Sequence, residues 1–353
     1  MRGSQFFIAT HTSIKETMKQ LDLTSEKILF VVDSQEQLIG SVTDGDIRRW
    51  ILNGGDINQT IDKACNHSPF SISEPYVIQI VKNIMIKERI SCIPVLDEAG
   101  KIKDLLFWHA LFDTLQEPKS HPRLAIPVVI MAGGLGTRLA PFTSILPKPL
   151  IPIGDKSVLE VIIDQFRDHA VNHFYISVSY KSKIIKSYFE ELSPPYAITY
   201  IYEDNPLGTA GCLASLKETL TGPFLVTNCD ILIQTDYVEV LEFHQKNKHS
   251  ITLVASLKHY VIPYGICEIE NGGILTKMNE KPEYSFLVNT GMYIVESDTL
   301  SLIPPNESFH MTHLIEKVQE HGGKVGVFPI SEKSWVDVGE WQEYKKAIES
   351  FRL

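Results

Sequence analysis

The sequence predicts two folding units, a small repeated α+β module followed by a larger α/β domain with a mainly parallel central sheet. The chain has 353 residues, which is enough for two or three domains at about 150 residues each. An approximate repeat of helix, strand, strand and helix occupies the first third, and a segment rich in proline follows at 116–127. Beyond it, apolar runs alternate with helical patterns, as βαβ units require.

The composition is typical of a globular protein with small-molecule partners. Apolar residues make up 44% of the chain, and 33 basic against 43 acidic residues give a net charge of −10, which argues against a partner nucleic acid. No apolar run approaches the roughly 20 residues that span a bilayer, and we expect no signal peptide and no membrane partner. The five cysteines are scattered without a CxxC pair, which favours a reducing, cytoplasmic compartment.

The internal repeat predicts a module of two similar halves. Each half shows a helical pattern, two apolar strands and a second helix. Neither half is large enough for its own core, so the halves are expected to pack together. The first helix and the two strands are predicted at 13–21, 28–33 and 38–43 in one half, and at 76–86, 92–96 and 102–107 in the other.

A Gly-x-x-Thr-x-x-Asp pattern in the first half comprises Gly40, Thr43 and Asp46. This stretch resembles the first half of a CBS-domain pair. The resemblance implies an adenine nucleotide as ligand, with Thr43 near a phosphate and Asp46 near the ribose. The alternative is that both residues only cap a helix and that the module serves in dimerisation or docking. The second half departs from the pattern, with Asp104, Phe107 and Ala110 at the corresponding positions.

The apolar strand predicted at 128–132 opens the second unit, in which further strands are predicted at 174–178, 224–227 and 251–256. Helical patterns separate these strands. They lie near 157–170, 181–191, 209–220 and 236–247.

Directly after the first of these strands comes the most informative motif, Gly-Gly-Leu-Gly-Thr-Arg-Leu, with Lys148 in a Pro-Lys-Pro sequence ten residues after Arg138. Glycines after a buried strand let the backbone approach a phosphate and direct its N–H groups at the oxygens. Arg138 supplies a forked donor for phosphate, and Lys148 supplies a second positive charge. The motif therefore predicts a phosphate-binding loop.

Two other glycine-rich loops fit this motif less well. A Walker loop ends in Gly-Lys-Ser/Thr and leads into a helix, whereas Gly136 is followed by Thr-Arg. A dinucleotide-binding loop needs a third glycine where this chain has Leu139, and Pro141 would interrupt its helix. A glycine turn with surface cations and no ligand is the remaining alternative.

The motif resembles the signature of sugar-1-phosphate nucleotidyltransferases, and the resemblance extends over most of residues 127–345. It implies an enzyme with a Rossmann-like nucleotidyltransferase domain at 127–353, joined by a linker at 120–126 to a tandem CBS module at 1–119. The further motifs occur in the family's order. They are Pro-Leu-Gly-Thr-Ala-Gly from 206, Asn-Cys-Asp from 228, Tyr-Gly from 264, Glu-Lys-Pro from 280, Asn-Thr-Gly-Met-Tyr from 289 and Trp-Val-Asp-Val-Gly from 335.

In that family a sugar 1-phosphate attacks the α-phosphate of a nucleoside triphosphate, and pyrophosphate leaves. A phosphate monoester has its second pKa at about 6, so this nucleophile needs cations and alignment rather than a base. The resemblance implies two catalytic residues, Arg138 at the leaving pyrophosphate and Lys148 between the reacting phosphates. It also implies that Asp230 and Asp337 hold Mg²⁺, for which carboxylates and phosphate oxygens are preferred ligands. Turn or cap residues are the alternative for each aspartate.

The resemblance also implies contacts with both substrates. The residues expected at the nucleotide are Gly133, Gly134, Leu135, Gly136, Thr137, Glu203, Gly208 and Thr209. The residues expected at the sugar phosphate are Gly265, Glu280, Lys281, Asn289 and Gly291. For Asn289 a turn cap is the alternative, and His310 and His313 are expected to cap a helix rather than to bind a metal.

Glu203 indicates which base the nucleotide carries. Thymidylyl and uridylyl members of the family tend to have glutamine here, whereas a carboxylate can only accept hydrogen bonds. Guanine offers two adjacent donors, and uracil and thymine offer one donor between two acceptors. We therefore expect GTP, unless Glu203 points to solvent.

A CBS pair ahead of such a transferase resembles the glucosamine-1-phosphate guanylyltransferases of bacterial legionaminic acid synthesis. This resemblance implies glucosamine 1-phosphate as substrate and a homo-oligomeric enzyme. Mannose-1-phosphate guanylyltransferase and glucose-1-phosphate thymidylyl- or uridylyltransferase are the alternatives. A regulatory nucleotide sensor built on the CBS module is the alternative of another class.

Overall fold

Two units contain the helices and strands of the chain, Met1–Lys119 and Ser120–Leu353. The computed structural model describes residues 4–24, 27–88, 90–112 and 123–350. The first unit has four α-helices in its described ranges, α1 Ile14–Leu23, α2 Asp44–Leu52, α3 Ile78–Glu88 and α4 Trp108–Phe112. Its strands there are β1 Phe7–Ala9, β2 Ile28–Val32, β3 Leu38–Thr43, β4 Ile72–Ser73, β5 Cys92–Leu96 and β6 Ile102–Phe107.

The two halves of the first unit share one topology. In the first half β2 pairs in parallel with β1 and antiparallel with β3, and in the second half β5 pairs in the same way with β4 and β6. Each antiparallel pair has a register shift at the same place, between Val31 and Val32 and between Val95 and Leu96. The shared irregularity confirms the predicted repeat.

Thr43 and Asp46 together form the N-terminal cap of α2. The backbone N–H and the hydroxyl of Thr43 both donate to Asp46 Oδ2, at 2.8 and 2.7 Å, and the N–H of Asp46 donates to Thr43 Oγ1 at 3.4 Å. The Arg49 guanidinium donates to the other carboxylate oxygen, Asp46 Oδ1, at 2.5 Å. The structure thus gives both residues a structural role within the unit, and the expected adenine-nucleotide contact stays a prediction.

The second unit is built on a seven-stranded sheet in the order β11-β10-β7-β12-β17-β14-β18. Its strands are β7 Val128–Met131, β8 Pro152–Ile153, β9 Lys156–Ser157, β10 His173–Val178, β11 Ala197–Tyr202, β12 Pro223–Asn228, β13 Ile231–Ile233, β14 Ile251–Val261, β15 Ile266–Glu270, β16 Ile274–Asn279, β17 Glu283–Glu296, β18 Val325–Ile330 and β19 Trp335–Asp337. Its helices are α5 Phe142–Ile145, α6 Val158–Arg167, α7 Ser182–Leu192, α8 Tyr237–Asn247, α9 Met311–Glu320 and α10 Trp341–Ser350.

The sheet is mainly parallel, as the sequence predicts. The pairs β11-β10, β10-β7, β7-β12 and β14-β18 are parallel, and only β17 runs antiparallel to both of its neighbours within this sheet. Among the helices of the described ranges, none combines the length and apolarity that crossing a membrane requires.

One predicted helix of the second unit is wrong. The segment 209–220 contains a 3-10 helix, Gly211–Leu216, and turns instead of an α-helix. The backbone N–H groups of Ala210 and Gly211 both donate to the carbonyl of Phe309, each at 3.0 Å. This distant partner fixes the start of the segment, so the local helical pattern does not decide its conformation.

Strand β7 is buried on both faces of the sheet. Val128 and Ile130 pack in a core cluster with Phe166 of α6, whereas Val129 and Met131 pack in a second cluster. Such burial on both sides fixes the position of a strand more firmly than packing on one face would. The loop that follows β7 therefore starts from a rigid edge of the sheet.

The cap of α2 can be tested by substitution. Loss of an N-cap side chain costs about 1 kcal/mol, so Thr43→Ala should accelerate amide hydrogen exchange in α2 by about fivefold. Thr43→Ser keeps the hydroxyl and should retain the wild-type rate. Mass spectrometry of peptides that cover 44–52 measures both, and unchanged exchange in the alanine variant would contradict the cap.

Candidate active site

The ends of adjacent strands bring Asp230 and Asp337 together. Asn228 at the end of β12 pairs with Met131 of β7, so Asp230 lies at the same edge as the glycine loop. Beyond Asp230, Ile231 of β13 pairs with Asp337 of β19, and the N–H of Val338 donates to the carbonyl of Asp230 at 2.8 Å. This short ladder holds the two carboxylates side by side.

The two predicted catalytic cations face these carboxylates. Lys148 forms an ion pair with Asp230, and only 13% and 11% of these two side chains is exposed. The Arg138 guanidinium lies 3.9 Å from Asp230 and 4.0 Å from Asp337. Arg138 also forms an ion pair with Glu340 and is 56% exposed, so a ligand from solvent can reach it. The structure therefore brings all four predicted residues into one cluster.

Gly339 lies at the centre of this cluster. A Cβ at this position would be 2.7 Å from Lys148 Nζ and 2.9 Å from Asp337 Oδ1, and it would also clash with the carboxylate of Asp230. The backbone N–H of Gly339 donates to Asp337 Oδ1 at 2.9 Å. A side chain here would displace the charged groups, so the position requires glycine. Sequence reasoning missed Gly339 and Glu340 as site residues, although the motif around Asp337 runs directly into both.

The electrostatics of the cluster favour an added cation. Burial raises the pKa of Asp337 above its ordinary value, and the negative charge of Asp230 raises it further. The N–H of Gly339, Arg138 and Lys148 oppose this shift without reversing it. Burial and a neighbouring negative charge both disfavour the ionised form of a carboxyl group, and the cations nearby do not fully offset these two effects on Asp337.

The glycine loop makes a tight turn beside Lys148. Gly136 has a φ of +66°, in the left-handed region that glycine adopts readily. A Cβ at Gly136 would be 2.8 Å from Lys148 Cβ and 2.9 Å from Thr143 Cγ2. The turn leads into a 3-10 helix, Thr137–Leu139, which carries Arg138. The loop thus packs against the stem of Lys148 and continues into the turn that carries Arg138.

Glu203 is buried next to the first glycine of the loop. It is 8% exposed, so it does not point into bulk solvent. Ser177 Oγ donates to Glu203 Oε1, and the N–H of Leu207 donates to Oε2 at 2.9 Å. A Cβ at Gly133 would lie 2.7 Å from Oε1. The carboxylate is therefore held in place at the loop, through a partner on β10 that sequence reasoning did not identify.

The loop 206–211 is tied to the start of α9. The N–H of Phe309 donates to the carbonyl of Leu207 at 2.8 Å, and the N–H of Met311 donates to Thr209 Oγ1 at 2.9 Å. Thr209 thus accepts from α9 in this structure, and its expected contact with the nucleotide is not shown. Gly208 has a φ of +79° and packs against His310, which begins α9 with His313 as the prediction of a capping role implies.

The residues expected at the sugar phosphate fall into two groups. Gly265 and Glu280 are neighbours, since a Cβ at Gly265 would be 2.9 Å from Glu280 Oε2, and Lys281 follows with a φ of +46°. The second group lies on β17, where Asn289 Oδ1 accepts from the N–H of Gly291 at 3.0 Å and its Nδ2 donates to the Tyr293 hydroxyl at 2.6 Å. One end of Asn289 therefore caps the turn at Gly291, and the other end is held by the side chain of Tyr293.

Gly291 connects the second group to the charged cluster. It has a φ of +88°, and a Cβ there would be 2.5 Å from Asn228 Nδ2 and 3.1 Å from Asn228 Cγ. Asn228 stands two residues before Asp230 at the end of β12. The bend at Gly291 therefore reaches the same end of the sheet as the carboxylates.

Family models match parts of both units of the chain. A family model described as nucleotidyl transferase matches residues 127–352, and a CBS domain model matches residues 1–53. A UTP–glucose-1-phosphate uridylyltransferase from Synechocystis sp. is 29% identical over 241 residues. The mannose-1-phosphate guanylyltransferase catalytic subunit beta from Danio rerio is 30% identical over 224 residues. These alignments cover 62% and 61% of this chain, which spans 62% of the length of each relative.

A solved structure also resembles the second unit. The crystal structure of HddC from Yersinia pseudotuberculosis complexed with GMP-PN has a TM-score of 0.52 and 26% sequence identity. The match covers 64% of this chain and 100% of the HddC chain. The structural match and the family model therefore cover a similar share of this chain.

The raised pKa of Asp337 predicts how its charge affects stability. The folded protein binds the proton of this carboxyl more tightly than the unfolded chain does, so stability falls as the pH rises through the raised pKa. Asp337→Asn removes the charge and keeps an acceptor for the N–H of Gly339. We expect the variant to melt at the same or a higher temperature than wild type at neutral pH, with the difference vanishing in acid.

Thermal unfolding across the pH range measures this effect. Asp204→Asn is the matched control, because Asp204 is exposed and its substitution should leave the melting temperature unchanged. An Asp337→Asn variant that melts below wild type at neutral pH would contradict the charge balance described for the cluster.

Proposed function

The chain belongs to the nucleotidyl transferase family, and we propose that it transfers a guanylyl group from GTP to a sugar 1-phosphate and releases pyrophosphate. The observation that carries this proposal is the single cluster of Arg138, Lys148, Asp230 and Asp337 beside the glycine loop. Guanylyl and uridylyl transferases of sugar 1-phosphates among the relatives support the reaction class.

The reaction needs charge neutralisation and alignment more than proton transfer. An oxygen of the sugar phosphate forms a bond to the α-phosphorus of GTP, and the bond from that phosphorus to the bridging oxygen of the β-phosphate breaks. Lys148 would hold the attacking phosphate and the α-phosphate together, and Arg138 would bind the departing pyrophosphate. Fixed cations of this kind stabilise a transition state without reorganisation. In the free protein, Lys148 forms an ion pair with Asp230 and Arg138 forms one with Glu340.

Asp230 and Asp337 would hold a magnesium ion at this site. Magnesium commonly takes one or two protein carboxylates and fills its other positions with phosphate oxygens and water. The structure fits this donor set, since the two aspartates stand together and burial raises the pKa of Asp337. Within the described ranges no group of three or more His, Cys, Asp and Glu side chains suits a metal. The ion would neutralise phosphate charge when bound.

Glu203 would select guanine. Its carboxylate is buried at the glycine loop, and each of its oxygens keeps a lone pair beyond the bonds from Ser177 and Leu207. Guanine N1–H and its amino group can donate to such a carboxylate together, whereas uracil and thymine would present oxygens to it. The complex of HddC, a protein of similar fold, with GMP-PN supports a guanine nucleotide as the ligand.

Glucosamine 1-phosphate is the proposed sugar substrate, and its product would enter bacterial nonulosonic acid synthesis. The CBS unit ahead of the transferase supports this choice. Mannose 1-phosphate and glucose 1-phosphate are the alternatives that the relatives suggest. Pyrophosphate release, measured with GTP and a panel of these three sugar 1-phosphates, tests the substrate. Release with none of them would contradict the proposed function.

For the N-terminal unit we propose an adenine nucleotide ligand that tunes the transferase. The CBS match to residues 1–53 supports it. Thr43 and Asp46 bond to each other in this structure, so a nucleotide would have to share or replace these contacts. Calorimetry of the full chain with AMP and ATP tests the proposal, and a lack of heat with both would leave a docking role.

Substitution of the charged residues tests the cluster. Removal of one electrostatic transition-state donor typically costs about a hundredfold or more in kcat, so Arg138→Ala and Asp230→Ala should each lower turnover by at least that factor. Lys186→Ala is the control, since Lys186 pairs with Glu190 on the surface of α7. Steady-state pyrophosphate release measures all three variants. Losses of less than about tenfold would be too small for groups that bind the reacting phosphates.

The role of Glu203 is tested by Glu203→Gln. The amide places a donor where guanine also donates, so kcat/KM should fall for GTP relative to UTP by about tenfold or more, the cost of an unpaired buried polar group. Asp204→Asn, one residue away and exposed, is the control. Equal use of GTP and UTP by the wild-type protein would contradict selection by this carboxylate.

A further inference from the structure

A lysine outside the catalytic cluster holds the short helix that connects its two cations. Helix α5 lies between Arg138 and Lys148 in the chain, and Lys181 from the start of α7 reaches its C-terminal end. All three N–H donors of an ammonium group can be used at once in such a contact. The acceptors of Lys181 Nζ are the carbonyl oxygens of Thr143, Ser144 and Ile145, at 3.1, 2.8 and 2.9 Å.

The contact with Lys181 stabilises helix α5. It has four residues, and an isolated helix of that length does not persist in water. The last carbonyls of a helix have no partner within the helix, and a positive charge at this end is favourable. Lys181 satisfies both needs, and its ammonium also lies 4.8 Å from the centroid of the Tyr180 ring.

The backbone of Lys181 supports a specific positioning role. Its φ is +56°, in the left-handed region that costs free energy for a residue other than glycine. A residue stays in this region only where the surrounding contacts determine its conformation. The ammonium of the same residue bonds to three carbonyls of α5.

From α5 the contact continues to the catalytic loop. The side chain of Thr143 is buried and lies against Gly136, where a Cβ would be 2.9 Å from Thr143 Cγ2. The same Cβ would be 2.8 Å from Lys148 Cβ. Packed interiors transmit small displacements rather than absorb them. A shift of α5 would therefore move the glycine turn and the stem of Lys148 with it.

We propose that Lys181 is a positioning residue, which fixes the glycine loop and through it the placement of Arg138 and Lys148 on the phosphates. Its kinetic effect rests on the proposed transfer reaction, whereas its effect on the loop does not. Lys181 touches only carbonyl groups of α5 among these elements, and it acts on the reaction through that helix.

Lys181→Met tests this role, because methionine keeps the aliphatic stem and removes the three donors. A misplacement of reacting groups by about 1 Å can cost a hundredfold in rate, so kcat should fall by about ten- to a hundredfold. The KM values should change little, since the loss falls on contacts made in the transition state. Hydrogen exchange should accelerate in peptides covering 136–148 and stay unchanged in β10 and α6.

The matched control is Lys183→Met, at an exposed lysine two residues along the same helix. It should leave kcat and hydrogen exchange at their wild-type values. A second arm uses Lys181→Ala with propylammonium, which can restore the missing ammonium. Propylammonium should raise kcat of this variant several-fold, whereas tetramethylammonium, which has no N–H donor, should not.

Three outcomes would overturn the role of Lys181. They are a methionine variant with wild-type kcat and exchange, exchange that accelerates uniformly across the second unit, and a lack of discrimination between the two ammonium ions. If the wild-type chain releases no pyrophosphate with any substrate, the proposed function fails. The exchange measurement then decides the role of Lys181 alone.

Discussion

The site depends on two aspartates that the fold forces together. The β13–β19 ladder sets Ile231 opposite Asp337 and so brings Asp230 beside it, although burial and mutual repulsion raise the pKa of Asp337. Lys148 and Arg138 offset part of this charge. A protein rarely retains such an arrangement for stability alone, because buried ion pairs gain little over apolar packing. This arrangement supports the proposal that the cluster binds phosphates and a divalent cation.

Under the proposed reaction, the ion pairs of the free protein are resting contacts. Phosphate oxygens would replace Asp230 and Glu340 as the partners of Lys148 and Arg138. Asp230 and Asp337 would then face a metal ion. Such an exchange of partners needs cations whose positions are already fixed, since flexible side chains would lose orientation on binding. Burial of β7 on both faces, the turn at Gly136 and the Lys181 contact each restrict those positions.

The sequence predicts most of the fold because the elements follow from local patterns, whereas the charged members of the site are predicted through the resemblance of its motifs to a known family. Apolar strands that end at glycines or aspartates predict the sheet and the edge of the sheet at which the candidate site lies. The errors and omissions share one cause, a partner distant in the chain. Phe309 prevents a helix at Ala210, and Ser177 holds Glu203 on the neighbouring strand. Gly339 is required because three charged side chains meet around it, a constraint that spacing alone does not show.

The most direct test of this account is a crystal structure with a non-hydrolysable GTP analogue and Mg²⁺. The account predicts Lys148 and Arg138 on phosphate oxygens, Asp230 and Asp337 on the metal ion, and the guanine edge at Glu203. A triphosphate bound elsewhere, with the Lys148–Asp230 ion pair intact, would contradict it.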